Sequence, residues 1–349
     1  MIKTTAQHWG TYENRDVYLF TIKNSSGAYV QLSNFGATWV AAVVSNLYGV
    51  LENVVLGYPD LLSYIEDTAY MGATIGRFAN RIGGARFMLE GITYTIADND
   101  HGNSNHGGPD GFHKKVFDHE ISGDRLIFRL ISPDGEGGYP GNLEFKVIYQ
   151  WTDACELLVD YEAVSDKTTL ANFTNHAYFN LSGRSDRVFD HSLIVYSEQL
   201  LEVGEDYIPT GKILPVGDLA FRGGPIGKKI VIGDDGIKGL NICYVLKKRS
   251  DAEQPGEIKP AARLAHAATG RVLEVRTSYP GMILYTGDYL NSMHDGHSGV
   301  RYRSFDGLCL ECQYYPDSPN HAHFPEATLV AGDTCRQHIA FRFTQQYLT

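Results

Sequence analysis

The chain has 349 residues, of which 43% are hydrophobic and 20% charged, the balance of an ordinary globular protein and not of a disordered one. Thirty Lys and Arg against 41 Asp and Glu leave a formal net charge of −11, and a surface of that sign disfavours phosphate backbones and anionic lipid, which are bound by clustered Lys and Arg. No nucleic acid and no membrane is expected as a partner, and because all-β chains often run past about 200 residues as one domain, length alone does not divide the molecule.

The first ten residues lack the apolar stretch of a secretory signal, and the nearby run Trp39 to Val44 is too short to span a bilayer. Five cysteines, an odd number scattered from Cys155 to Cys335, do not form a disulfide framework. Both features predict a cytoplasmic, reduced protein. Pro59 to Asp67 is the one stretch with a helical pattern.

Next comes Gly76-Arg-Phe-Ala-Asn-Arg-Ile-Gly-Gly84. Arg77 and Arg81 each carry a planar donor fork suited to hydroxyls or carboxylates, and Asn80 adds a donor and an acceptor. One of the two arginines is expected to serve only an ion pair. Phe87 to Leu89 and Ile92 to Ile96 flank Glu90-Gly91, a pair that predicts a hairpin. In Asn105-His106-Gly107-Gly108 the glycines leave room for a ligand or another backbone beside His106; a plain loop histidine is the alternative.

Leu143 to Trp151 is apolar or aromatic at every odd position and mostly polar at the even ones, which predicts a strand with one buried face. His176 lies in Thr174-Asn-His-Ala-Tyr-Phe-Asn-Leu-Ser-Gly183, where Asn175 and Asn180 can fix the backbone or the ring. A lone His is more often a satisfied structural residue, which is the alternative reading of that segment. The polar stretch Lys247 to Lys259 predicts an exposed loop, and Thr269-Gly270 the turn of a second hairpin joining residues 261–267 to 272–275.

Glu311 sits in Gly307-Leu-Cys-Leu-Glu-Cys-Gln-Tyr-Tyr-Pro316. A half-buried acid there has a raised pKa suited to proton transfer, although an edge-strand Glu in water fits the same pattern. Cys309 and Cys312 have CxxC spacing, but on a strand the two sulfurs face opposite sides, so neither a metal clamp nor a redox pair is expected. His321-Ala-His323 lies between Pro319 and Pro325 and predicts a solvated loop. Ile339 to Phe343 alternates again. With 37 Gly and 13 Pro breaking the chain, the whole predicts an all-β fold, a large antiparallel sandwich with few short helices. No linker marks a boundary, so residues 1–349 are expected to form a single domain.

Taken in order, these segments resemble the aldose 1-epimerase, or galactose mutarotase, family: Ser33 to Ala37, Gly76 to Gly83, Asn105 to Lys115, Gly137 to Asn142, Asn175 to Gly183, Tyr285 to Gly287 and Cys309 to Pro325. The resemblance implies a β-supersandwich with an open cleft that interconverts the α and β anomers of a free aldose, with Glu311 as catalytic base and His176 as catalytic acid. It implies sugar contacts from His106, Asn80, Arg81 and Tyr178. The family's usual Asp is replaced by Asn241, and the Gln common two residues before Tyr285 is replaced by Ile283, which bears on the preferred sugar. Anomer exchange of this kind needs no metal and no cofactor. A disaccharide reducing end, a hexose 6-phosphate, or sugar binding without turnover are the alternatives, and pairing into a homodimer stays open.

Overall fold

The computed structural model describes residues 2–183, 186–233, 236–246 and 256–347. Leu143–Trp151 is a strand whose odd-numbered residues are buried and whose even-numbered ones are not, as one face on a core requires. It lies in a nine-stranded antiparallel sheet ordered Asp118–Ser122, Arg125–Ser132, Leu143–Trp151, Glu156–Ser165, Thr334–Gln345, Arg271–Thr277, Lys259–His266, Ser192–Val195 and Arg222–Pro225. The strand nearest the C-terminus thus occupies the middle of the sheet.

Both expected hairpins are present. Arg86–Leu89 pairs with Ile92–Thr95 across Glu90 and Gly91, whose φ values of 51° and 78° are those of a two-residue turn that matches strand twist. Lys259–His266 pairs with Arg271–Thr277, which places Lys259 in a strand; residues 256–258 of the expected loop lie outside any strand or helix, and residues 247–255 lie outside the described residues.

A five-stranded sheet (Lys3–Tyr12, Arg15–Lys23, Tyr29–Ser33, Thr38–Ser45, Leu51–Asn53) and a six-stranded one (Tyr178–Phe179, Leu308–Gln313, Gly281–Tyr285, Asn241–Val245, Gln199–Val203, Pro209–Pro215) complete the β layers. The three sheets meet at Trp39, whose ring lies 5.6, 5.2 and 6.3 Å from those of Phe179, Phe341 and Phe343. Among the described residues the expected helix is reduced to Leu61–Ile65, capped by Asp60, which accepts from the Ser63 amide at 2.9 Å.

The six-stranded sheet sorts its residues by face. Leu308, Leu310 and Cys312 enter the main core, whereas Cys309 packs with Tyr178, Cys243, Ile283 and Tyr285 in a second apolar cluster. Cys309 and Cys312 therefore point to opposite sides and both are free. The period of two places Glu311 on the Cys309 side, where the cleft opens.

Candidate active site

Glu311 is 2% exposed, buried more deeply than the half-burial its sequence setting predicts, and the edge-strand reading fails. Its strand pairs with Gly281–Tyr285, which sets Ile283 directly opposite it. One carboxyl oxygen lies 3.8 Å from His176 Nε2; the other, Oε2, is buried with no hydrogen-bond partner. An unpartnered buried acceptor is costly unless something fills it, and this one faces a cleft of about 220 Å³ lined by Thr68, Ala69, Tyr70, Asn80, Arg81, Asn105, His106, His176, Tyr178, Asn241, Tyr285, Tyr289, Asn291 and Glu311. All seven site residues anticipated from sequence are in that lining.

His176 follows the short strand Thr174–Asn175, and its backbone is held at both ends: its amide donates to Ala73 O at 2.9 Å and its carbonyl accepts from Gly72 N at 3.0 Å. Asn175 Nδ2 donates to the Gly72 carbonyl, and Asn180 Nδ2 donates to the carbonyls of Asp186 and Asp306, so both asparagines fix backbone, not the ring. The ring's Nδ1 lies 3.6 Å from Cys309 Sγ.

Asn80 and His106 hold each other. The Asn80 amide donates to His106 Nδ1 and the His106 amide donates to Asn80 O, each at 3.2 Å; both residues have positive φ, 66° and 52°. With Nδ1 accepting, neutral His106 carries its proton on Nε2 and offers a donor. The space beside it is taken by backbone: a Cβ on Gly107 would sit 2.2 Å from Gly76 O.

The arginines divide differently from expectation. Arg77 is buried and donates to Ser132 Oγ and to the carbonyls of Ser132, Pro133 and Pro140, so it braces loops and makes no ion pair in that set. Arg81 reaches the cleft and also makes the ion pair, with Asp100 at 2.6 Å, while its guanidinium lies 5.2 Å from the Tyr207 ring centre. The proline-bounded turn after Glu311 is tied to the same segment, since Asp317 N donates to Arg81 O and Asp317 Oδ1 accepts from Gly83 N.

Tyr178 lines the cleft with its ring, because its hydroxyl donates to Ala69 O at 3.1 Å. Asn241 lines it from the strand beside Tyr285. Ile283 does not: it is buried in the second apolar cluster, which also holds the cleft-lining Tyr178 and Tyr285. His321 to His323 form the expected loop, with His323 exposed and His321 partly so, and their Nε2 atoms bond to Pro209 O and Gly211 O. Sequence reading passed over Thr68, Tyr70, Tyr289 and Asn291, which sit in loops without periodic pattern.

Burial dominates the protonation of the pair. It pushes the Glu311 carboxyl up to about 8, with Arg81 pulling the other way, and the His176 imidazole down to about 4. Burial thus favours the uncharged form of both groups in the free cleft.

His106, His176 and Glu311 each bring one ligand atom to within 4.8 Å of the others, a two-histidine, one-carboxylate set. The tautomer opposes a metal there. A His ligating through Nε2 carries its proton on Nδ1, which in His106 would confront the Asn80 amide. The same conflict disqualifies Asp190, His191 and His266, where His191 Nε2 already accepts from Leu181 N at 2.9 Å. What the cleft can do is move protons at a bound molecule rich in hydroxyls.

A family model described as aldose 1-epimerase matches residues 18–342. The galactose mutarotase of Mus musculus is 39% identical over 320 residues, covering 90% of this chain and 91% of that one. The aldose 1-epimerase of Escherichia coli K12 is 34% identical over 314 residues, covering 88% and 89%. Two solved structures share the fold: an aldose epimerase homologue from C. elegans, with TM-score 0.86 and 29% identity over 94% of this chain and 98% of that one, and a galactose 1-epimerase from Lactobacillus acidophilus, with TM-score 0.82 and 26% identity over 99% of both.

Proposed function

The chain belongs to the aldose 1-epimerase family, and from that premise we propose that Glu311 and His176 open and reclose the sugar ring by paired proton transfer. It is an isomerase that interconverts the α and β anomers of free aldoses. The observation that carries the mechanism is the 3.8 Å separation of Glu311 and His176 beside an unpartnered carboxyl oxygen. A sugar hydroxyl donating to that oxygen favours the ionised carboxylate and so moves the shared proton to His176. Glu311 then takes the O1 proton while His176 gives its proton to the ring oxygen, and the C1–O5 bond breaks to leave an aldehyde. After rotation about C1–C2, His176 recovers the O5 proton, the ring closes on the other face, and Glu311 returns its proton to O1. Each positioned proton-transfer group contributes on the order of 10²- to 10⁴-fold.

His106, through its fixed Nε2–H, Asn80 and Arg81 hold ring hydroxyls while C1 turns, a positioning role. Among the described residues lining the cleft, Glu311 is the sole carboxylate, whereas glycoside hydrolysis needs two. A hexose 6-phosphate needs unengaged cations; the lining offers Arg81 alone, already paired with Asp100. A neutral aldose is therefore the substrate the cleft favours. The whole chain acts as one domain, since the site draws on residues from Thr68 to Glu311. All five cysteines are free and no helix among the described residues is long and apolar enough to cross a membrane; the free thiols support a cytoplasmic setting.

Polarimetry of freshly dissolved α-glucose, α-galactose and maltose tests the reading. Faster relaxation with at least one sugar is expected; relaxation no faster than buffer with all three, alongside saturable sugar binding, would instead favour a non-catalytic binder.

A further inference from the structure

The rings of His106 and His176 are 5.2 Å apart at 76°, and a third ring stands against both. Tyr70 lies 4.6 Å from His106 and 5.8 Å from His176, and 4.7 Å from the buried His113 behind them. Such contacts restrict ring rotation where a hydrogen bond alone leaves a hinge. His176 needs this more than His106, because its Nδ1 has only a thiol 3.6 Å away whereas His106 Nδ1 has a backbone amide.

Tyr70 is itself rigidly presented. Its φ of 56° puts a bulky residue in the left-handed region, a conformation that persists only when the surroundings impose it. The imposing groups are visible on every side. Asp67 Oδ2 accepts from the amides of Ala69 and Met71 at 3.1 and 2.9 Å, and its Oδ1 from the Tyr58 hydroxyl at 2.8 Å. Lys114 Nζ donates to the carbonyls of Ile65 and Asp67, Tyr178 to that of Ala69, and Ala73 N to that of Tyr70. Two residues after Tyr70, Gly72 N bonds to His176 O, so the loop and the acid share a backbone tie.

We propose that Tyr70, held by the Asp67-centred loop, is a positioning residue that fixes the His176 and His106 imidazoles at the angle ring opening requires. This rests on the assignment of His176 as the acid and names a further residue on which that assignment depends.

The experiment compares Tyr70→Phe, Tyr70→Leu and His176→Ala with the parent, by polarimetric kcat and KM across pH, with circular dichroism as the folding check. Tyr70→Phe keeps the ring and is expected to keep kcat. Tyr70→Leu is expected to lower kcat about 10- to 100-fold with KM little changed, the cost of a misplaced catalytic group. Its acid limb should also move up in pH, because water reaches His176, while the alkaline limb set by Glu311 stays. Should Tyr70→Leu not fold, Tyr70→Met, which refills the volume with an unbranched chain, carries the same expectation. A Leu or Met variant with parental kcat overturns the proposal, as does a rise in KM alone, which would make Tyr70 a sugar contact. Equal loss in Phe and Leu overturns it too. Parental activity in His176→Ala would instead remove the acid assignment beneath it.

Discussion

Glu311 Oε1 and His176 Nε2 stand 3.8 Å apart, beyond hydrogen-bond length, so the two groups that must exchange protons through a sugar do not satisfy each other without one. With the carboxyl pushed up to about 8 and the imidazole down to about 4, the pair holds one proton over the whole interval between those values, whichever residue carries it.

The pH dependence follows from that count. Below about pH 4 the pair holds two protons and no base remains; above about pH 8 it holds none and no acid remains. A plot of kcat/KM against pH should rise through about 4, level off, and fall through about 8. A maximum confined to strongly alkaline solution would contradict the pairing.

Glu311→Gln should separate activity from stability. Turnover is expected to fall by roughly 10²- to 10⁴-fold. The folded carboxyl titrates above its unfolded value, so the stability its protonated form contributes is present below about pH 4.5 and is lost as pH rises through about 8. Gln cannot ionise. Relative to the parent, the variant should gain on the order of 3 kcal/mol in urea denaturation between about pH 5 and about pH 9, and an unchanged difference across that range would mean that Glu311 is not desolvated as described.

Asn241→Asp should alter the choice of sugar more than the rate. Asn241 lines the cleft, and a carboxylate there accepts from hydroxyls but no longer donates. The ratio of kcat/KM for galactose to that for glucose is expected to change severalfold while the pH limits stay in place. Equal loss on every sugar would place Asn241 with the scaffold.

Asp100→Ala should loosen Arg81, whose Nε now donates to Asp100 at 2.6 Å. An Arg freed from its partner loses a fixed orientation, at a cost of about 1 kcal/mol in sugar binding. KM should rise about fivefold with kcat held; a fall in kcat alone would assign Arg81 to the chemistry.

Much of this molecule was legible in its sequence where one local rule governed the outcome. Leu143–Trp151 and the turn at Glu90-Gly91 fold as their alternation and turn residues dictate. Glu311 stood out because a charge inside an apolar strand is rarely idle. Its depth of burial was not legible, because that depends on Gly281–Tyr285 and the Thr68–Tyr70 loop closing over it. Arg77 and Arg81 were indistinguishable by spacing, and only the placement of Ser132, Pro140 and Asp100 separates the brace from the arginine that lines the cleft. The setting of Ile283 was hidden for a related reason: its partner across the ladder lines the cleft, and its own side chain packs into an apolar cluster that spacing does not reveal. Tyr70 carried no signal at all, since a loop tyrosine gains meaning only from the rings brought to it.

The place of Thr334–Gln345 in the middle of the nine-stranded sheet has a consequence for biosynthesis. A ribosome delivers that strand after all its neighbours, so the growing polypeptide carries two half-sheets with open, pairing-competent borders until Thr334–Gln345 emerges. Closure of the sheet then waits for that strand, and the nascent intermediate exposes edges that invite other chains.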